Sequence, residues 1–491
     1  MSTLKEQILS AHELAERIFQ DETRPKYHFR VPFDLGFPAD PNAMFYADGL
    51  YHLMFIYESR ADSYRWGHAT SVDLLHWQFH ADALVPDESD GGIYSGGVLL
   101  EEDGRAVIAY WALGKDGSAG GIRIAESAPS YETWKKHADY AVACKELGVT
   151  EVDGKPVGCA DPSNLFKVGE TYCMQLGNLC LLDKFRGDES HPEYQGDWSE
   201  LFVSDDLRSW RYKGRFYERL ASGGTDPSED CMCPYFAPLP DRNGADSGVW
   251  LQLFISHNRG CQYYLGEFDR ETLRFLPKKH GRLAVADNAL FAPEVVKTPD
   301  GRLAMLCWMR DNLDDDLERE LKKGWSGVYC LPRELSLDED GDLRVLPLRE
   351  TDRLRYQPER FSVTGERELA LPLQSEIVFE IPRSFRGRAG VKISAESGEI
   401  EIVMDTIKNE LSFDTRRSGT EGRKVRETVF VGNRTAESLR VYSDGCVLDA
   451  FAGGRALTRQ IFLSEKRKTI IFAEGGTLEG SSFRIAPTNG Y

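Results

Sequence analysis

No apolar run in this chain approaches the roughly 20 residues that a bilayer-crossing helix needs, which excludes an ordinary helical membrane protein. The first residues, MSTLKEQILSAHELAERIF, also lack the unbroken apolar core of a secretory signal. Leu4, Ile8, Leu14 and Ile18 instead fall at helical spacing and predict one face of a short amphipathic helix over residues 1–25. Positive charge is in short supply: 60 Lys and Arg face 79 Asp and Glu, for a net charge of −19. Such a surface disfavours nucleic acid and anionic membranes as partners and leaves a neutral ligand unaffected. Ten cysteines occur without a repeating framework, several inside apolar runs (Cys173, Cys180, Cys307, Cys330). They read as reduced, buried thiols, and the expected compartment is the cytoplasm. Cys231-Met-Cys233 is the one close pair and has no second pair at zinc-site spacing, so no metal is expected. A Walker phosphate loop and a His-Glu-x-x-His signature are both missing, and the glycine-rich stretch 114–121 suits a hairpin better than a dinucleotide loop. No cofactor is implied. The sequon at 433–435 carries no meaning in a cytoplasmic protein.

Helical periodicity is nearly absent between residues 30 and 350. Short strands joined by turns take its place: Gly49–Tyr57 after Ala-Asp-Gly, Val98–Trp111 around Glu-Glu-Asp-Gly, Asn164–Met174, and Val296–Leu306 around Pro-Asp-Gly. Ser71-Val-Asp-Leu-Leu-His-Trp77 is echoed by Ser204-Asp-Asp-Leu-Arg-Ser-Trp210 and more loosely by residues 127–134. A repeated multi-stranded unit of this size points to propeller blades, with the Asp-Leu turn joining two strands and the Trp packed between blades. A charged linker follows near 350–360, and clean alternation resumes at Ser375–Ile381, Gly398–Met404 and Leu439–Phe451. The expected fold is all-β: a propeller over 26–350 and a C-terminal β-sandwich over 361–491. An edge of that sandwich is where a homo-oligomer would form.

Ordered blocks along nearly the whole chain resemble glycoside hydrolase family 32, the invertase, levanase and inulinase family. They are Arg24–Phe29, Phe37-Pro-Ala-Asp-Pro-Asn42, Tyr51-His-Leu-Met-Phe, Trp66-Gly-His-Ala, Tyr94-Ser-Gly-Gly97, Ala160-Asp-Pro162, Tyr263–Asp269, Phe291-Ala-Pro-Glu294, Cys307-Trp-Met309, Trp325-Ser-Gly, Leu331–Leu335 and residues 439–462. The resemblance implies a five-bladed propeller and a retaining hydrolase acting on a furanosidic sugar. A binding protein on the same scaffold and a fructosyl transferase are the alternatives.

A retaining glycosidase needs a carboxylate nucleophile and a carboxylic acid roughly 5–5.5 Å apart. By resemblance Asp40 is the nucleophile and Asp161 the residue that binds sugar hydroxyls and steadies the transition state; the Arg that should precede Asp161 is Ala160. The family's acid belongs to Glu-Cys-Pro, and here Met232 precedes Cys233-Pro234. Met cannot donate a proton. Asp230, or Glu229 beside it, is the expected substitute, on the premise that two adjacent carboxyls removed from water raise one pKa. Solvated loop acids are the plainer reading of the same pair. Ala39, Ile56 and Glu294 replace amides that reach the sugar in the family, so the substrate is expected to differ from plain sucrose or inulin. Trp66, Tyr94, Ser95 and Trp308 are the candidate sugar-pocket walls, although buried propeller aromatics of this kind also serve packing alone.

Overall fold

The computed structural model describes all residues except 1–3, 32–36, 60–63, 116–117, 311–323, 326, 397, 419–423, 433–435, 462–465 and 489–491. The sequon, two residues of the glycine-rich hairpin and Ser326 therefore lie outside the described residues.

Five antiparallel sheets follow one another along the chain, three of four strands and two with a short fifth strand, each pairing its four main strands in sequence order. The first blade is Phe37–Ala47, Leu50–Glu58, Tyr64–Ser71 and Trp77–Phe79. The second is Gly92–Leu100, Ala106–Leu113, Gly121–Ser127 and Lys135–Lys136. Phe166–Val168, Thr171–Leu176, Trp198–Ser204 and Arg211–Glu218 make the third. Met232–Pro240, Asp246–Ser256, Gly260–Asp269 and Arg274–Arg282 make the fourth. The fifth contains Leu290–Lys297, Leu303–Met309, Arg333–Leu337 and Leu343–Pro347. The expected five-bladed propeller is present.

Turn chemistry explains the repeat. Asp73 Oδ1 accepts the backbone N–H of Leu75 and His76, and Asp206 Oδ1 accepts those of Arg208 and Ser209. Between acceptor and donors, Leu74 and Leu207 take left-handed φ values of 64° and 62°. An Asp that ties down two amides offsets the strain of a left-handed Leu. Of the repeat's tryptophans, Trp134 fills the expected inter-blade role, packing against the core cluster shared by the first two blades. Trp134 and Trp210 are only half-buried, and their indole N–H groups bond the carbonyls of Tyr131 and Leu207 in their own turns. The packing between the third and fourth blades comes from Phe216, Phe236, Tyr217, Phe254, Tyr264 and Phe275. Ring pairs such as Phe216–Phe236, edge-to-face at 4.8 Å, add about 0.5–1.5 kcal/mol each beyond the area they bury.

The chain divides into two compact units, Pro38–Trp308 with Glu334–Leu343, and Met1–Phe37 with Met309–Arg333 and Arg344–Tyr491. The second is built on a ten-stranded sheet that forms the expected sandwich. One long strand, Lys468–Ile485, serves both layers. Its first part pairs with Arg388–Ser394 and its last part with Ser375–Glu380. Gly475 turns the corner at φ +104°, where a Cβ would lie 2.3 Å from the Arg386 carbonyl oxygen. The segment before the propeller belongs to this unit: Asp444 accepts the backbone N–H groups of Lys26, Tyr27 and His28. His28 itself is fully buried between Asp444 (2.8 Å) and Asp449 (2.9 Å).

The N-terminal helix forms as Leu4–Gln20, but its apolar stripe is not buried as a face. Ile18 is buried and Leu14 half-buried, whereas Leu4 and Ile8 are exposed. Periodicity identified the helix; it carried no information on how much of its length has something to pack against.

Candidate active site

The site is assembled from the N-terminal ends of the blades' first strands. Asp40 opens the first blade, Ser95 the second, Asp161 precedes the third, Cys233 the fourth, and Ala292 to Glu294 the fifth. Four of these segments share an X-Pro pair: Asp40-Pro41, Asp161-Pro162, Cys233-Pro234 and Ala292-Pro293. In three of them the residue before proline is left-handed, with φ of 38° at Asp161, 46° at Cys233 and 43° at Ala292. A non-glycine residue held there costs about 1–3 kcal/mol, and strain of this kind concentrates at functional sites.

Asp40 and Asp161 converge on one thiol. Cys233 Sγ lies 3.6 Å from Asp40 Oδ2 and 3.4 Å from Asp161 Oδ2. Ser95 Oγ donates to the same Asp40 oxygen over 2.7 Å. Burial first, and the neighbouring Asp40 charge second, push the Asp161 carboxyl up to about 7. Burial and the two carboxylates hold the Cys233 thiol protonated, well above its ordinary value. Cys233 thus acts as a proton-bearing bridge rather than a thiolate.

Tyr94 is half-buried and stands between Tyr64 (centroids 4.9 Å) and Trp111 (5.6 Å), which gives the site an aromatic wall. Trp308 is also half-buried, edge-on to Phe291 at 6.2 Å. Trp66 does not line a pocket. It is 0% exposed within the first blade's core, and its indole N–H donates to the Tyr94 carbonyl at 3.0 Å, so it supports the wall from behind. Glu294 is buried, accepts the Met44 N–H, and is pushed by burial far above the carboxylate range. A protonated carboxyl offers one donor and one acceptor, as does the amide it replaces.

The fourth blade departs from expectation. Met232 is buried and packs where a Cβ on Gly177 would meet its sulfur at 2.5 Å, so it has no part in proton transfer. The pKa of Glu229 is not raised. Glu229 accepts two hydrogen bonds from Arg282 (2.6 and 2.9 Å) and one from Gln262 (2.9 Å). Burial pushes its pKa up, but these partners outweigh it and the net shift is downward. An ion-paired carboxylate of this kind is a poor proton donor. Asp230 is buried too, with Oδ1 accepting the His257 N–H (2.9 Å) and Oδ2 2.8 Å from His257 Nδ1. The loop carrying it is pinned by Asn178, whose side-chain oxygen accepts the Cys231 N–H at 2.7 Å. His257 was not among the residues that the sequence singled out. Its one signal is position: it follows directly on the strand whose Ile255 pairs with Met232.

Comparison with known proteins agrees with this architecture. The family description "Glycosyl hydrolases family 32 N-terminal domain" matches residues 28–347, and "Glycosyl hydrolases family 32 C terminal" matches 350–487. A probable sucrose-6-phosphate hydrolase of Psychromonas ingrahamii is 26% identical, with 92% of this chain and 79% of that protein covered. An insoluble β-fructofuranosidase isoenzyme 1 of Oryza sativa subsp. indica is 25% identical, over 83% of this chain and 69% of its own length. Among solved structures, fructan 1-exohydrolase IIa of Cichorium intybus superposes with a TM-score of 0.77 at 19% identity, covering 95% of this chain and 98% of its own. Sucrose-6-phosphate hydrolase of Lactobacillus gasseri gives 0.76 at 20%, covering 97% and 96%. The fold, the strand-end carboxylates and these matches together define a glycoside hydrolase. The chain belongs to glycoside hydrolase family 32, and the expectation of a retaining hydrolase for β-fructofuranosides is borne out.

Proposed function

We propose that Asp40 attacks the anomeric carbon of a β-fructofuranoside while Asp161 binds the sugar's hydroxyls, and that a modified sucrose, its 6-phosphate, is the preferred substrate over plain sucrose. The observation that carries this reading is the convergence of both carboxyls on Cys233, with Ser95 fixing one Asp40 oxygen. Two hydrogen-bond donors on one carboxylate oxygen orient the group for in-line attack. Attack forms an ester between Asp40 and the anomeric carbon as the glycosidic bond breaks; water then releases the sugar with retained configuration. Asp161, already close to protonation, exchanges short hydrogen bonds with hydroxyls as positive charge develops on the ring. The named activities of the Psychromonas and rice relatives support sucrose 6-phosphate and fructofuranosides as the substrates to try. A cytoplasmic setting belongs to the same proposal, supported by ten cysteines that all stand as free thiols. The net charge of −19 speaks against nucleic acid and anionic membranes as partners.

Sugar release from sucrose, sucrose 6-phosphate, inulin, levan and an aryl fructofuranoside tests the reading, with Asp40→Asn as the control. Cleavage lost in the variant, with thermal stability kept, is the expected result. Full activity of Asp40→Asn would overturn the nucleophile assignment.

A further inference from the structure

We propose that His257, held by Asp230, is the proton donor and general base of this enzyme, in place of the carboxylic acid that the family carries where this chain has Met232. The proposal rests on the reading of Asp40 as nucleophile and extends it to the second half of the reaction.

Three observations support it. Leaving-group protonation needs an acid, and the two carboxyls nearest Met232 are both committed: Glu229 to Arg282 and Gln262, Asp230 to His257. Register then places His257 beside the vacated position. Ile255 pairs with Met232, and the chain running on from it makes a hydrogen bond from His257 N–H to Asp230 Oδ1. Finally, the imidazole is arranged as a donor. Nδ1 is bound to Asp230 Oδ2 at 2.8 Å, Phe291 meets the ring edge-on at 5.5 Å, and 45% of the side chain remains open. Nε2 has no hydrogen-bond partner among the described residues. A buried carboxylate on one nitrogen fixes the tautomer and supports a proton on the other, an arrangement suited to moving a proton at Nε2.

The charges around the ring agree. Burial lowers the affinity of His257 for its proton, but Asp230, Asp161 and Asp40 together outweigh it, and the net shift is upward. In return, His257 lowers Asp161. Among the described residues these three carboxyls are the strongest charged influences on the ring.

The step balances as follows. The Nε2 proton passes to the glycosidic oxygen while the bond from that oxygen to the anomeric carbon breaks and Asp40 forms its ester. Neutral His257 next takes a proton from water, the water oxygen bonds to the anomeric carbon, and Asp40 leaves as a carboxylate. Asp230 is a positioning residue: it acts through His257 and does not itself touch the sugar.

The test compares kcat/KM of the full-length enzyme and of His257→Gln, Asp230→Asn and Asp40→Asn. Sucrose represents a leaving group that needs protonation, and a 4-nitrophenyl β-fructofuranoside one that does not. His257→Gln is expected to lose about 10²–10⁴-fold on sucrose and less than about tenfold on the aryl substrate. Asp230→Asn is expected to bring the alkaline limb of the sucrose pH profile down by on the order of one unit, with a smaller effect on the aryl substrate. Sucrose turnover by His257→Gln within threefold of the parent would overturn the proposal. So would an equal loss on both substrates, which marks a merely structural role. An Asp40→Asn variant active on the aryl substrate would instead remove the nucleophile reading, so the two failures are distinct.

Discussion

Cys233 and Asp161 are joined by a 3.4 Å contact from thiol to carboxyl, and both are left-handed residues that precede a proline. The same backbone device thus brings each side chain in at the start of its own blade. Because the thiol keeps its proton between two carboxyls, Cys233 should be inert to electrophiles. Iodoacetamide at pH 7.5 is expected to leave Cys233 unmodified in the folded enzyme, as read by peptide mass spectrometry. Rapid alkylation with loss of activity would contradict the bridging role.

Asp161 makes a stability prediction whose sign follows from its pKa. Folding raises the carboxyl from 3.8 to about 7, so the native state binds the proton more tightly than the unfolded chain. The resulting penalty is absent below about pH 4, grows between 4 and 7, and is complete above. At roughly 1.4 kcal/mol per unit it is on the order of 4 kcal/mol. Asp161→Asn is therefore expected to abolish turnover and yet raise Tm at pH 8, with the gain vanishing near pH 4. Thermal melts of both proteins across that range check it.

His28 gives the opposite pH dependence. Burial lowers its pKa, but Asp444 and Asp449 outweigh burial and lift it to about 9. A group raised on folding stabilises fully below its unfolded value of 6.5, and that contribution is lost as pH rises through 9. The unit containing the sandwich is expected to weaken by about 3 kcal/mol between these limits. His28→Asn should flatten the dependence and lower stability by about 3–5 kcal/mol at pH 6, because two buried carboxylates lose their cation, with the deficit shrinking by about 3 kcal/mol toward pH 9.5. Denaturant melts at pH 6 and pH 9.5 measure both effects.

Glu229 is expected to matter for stability rather than chemistry. Glu229→Gln breaks its pairing with Arg282 at the base of the Asp230 loop. A loss of about 3 kcal/mol is expected, while kcat/KM of the folded variant changes by less than about tenfold. A steady-state assay beside a chemical melt separates the two. A loss comparable to that of Asp40→Asn, without destabilisation, would return Glu229 to the list of acids.

The blades were legible because their turns are local: Asp73 and Asp206 bind amides two and three residues onward, and such chemistry shows in the residue order. Asp40 and Asp161, which the structure brings together at Cys233, were singled out by their prolines and the family resemblance. The proposed proton donor was not, because what singles out His257 is strand register, which a linear reading does not contain. Glu229 and Asp230 are adjacent in sequence, yet Arg282 and His257 draw them to different partners. Trp66 was read as a pocket wall since an aromatic at a family position looks the same whether its ring or only its N–H faces the site.

The long strand Lys468–Ile485 has a consequence for the order in which the protein matures on the ribosome. It supplies the pairing edge for Arg355–Leu369, for Ser375–Glu380 and for Arg388–Ser394, yet it is synthesised after all of them. Neither layer of the sandwich can close until it emerges, and the pairing of Arg355 with Ile485 spans most of that region in a single closure. The blades, whose strands pair with their immediate successors, are free to form during translation. The sandwich has to wait, holding its unpaired edges exposed, and a nascent chain stalled before residue 468 should depend on chaperones where the propeller does not.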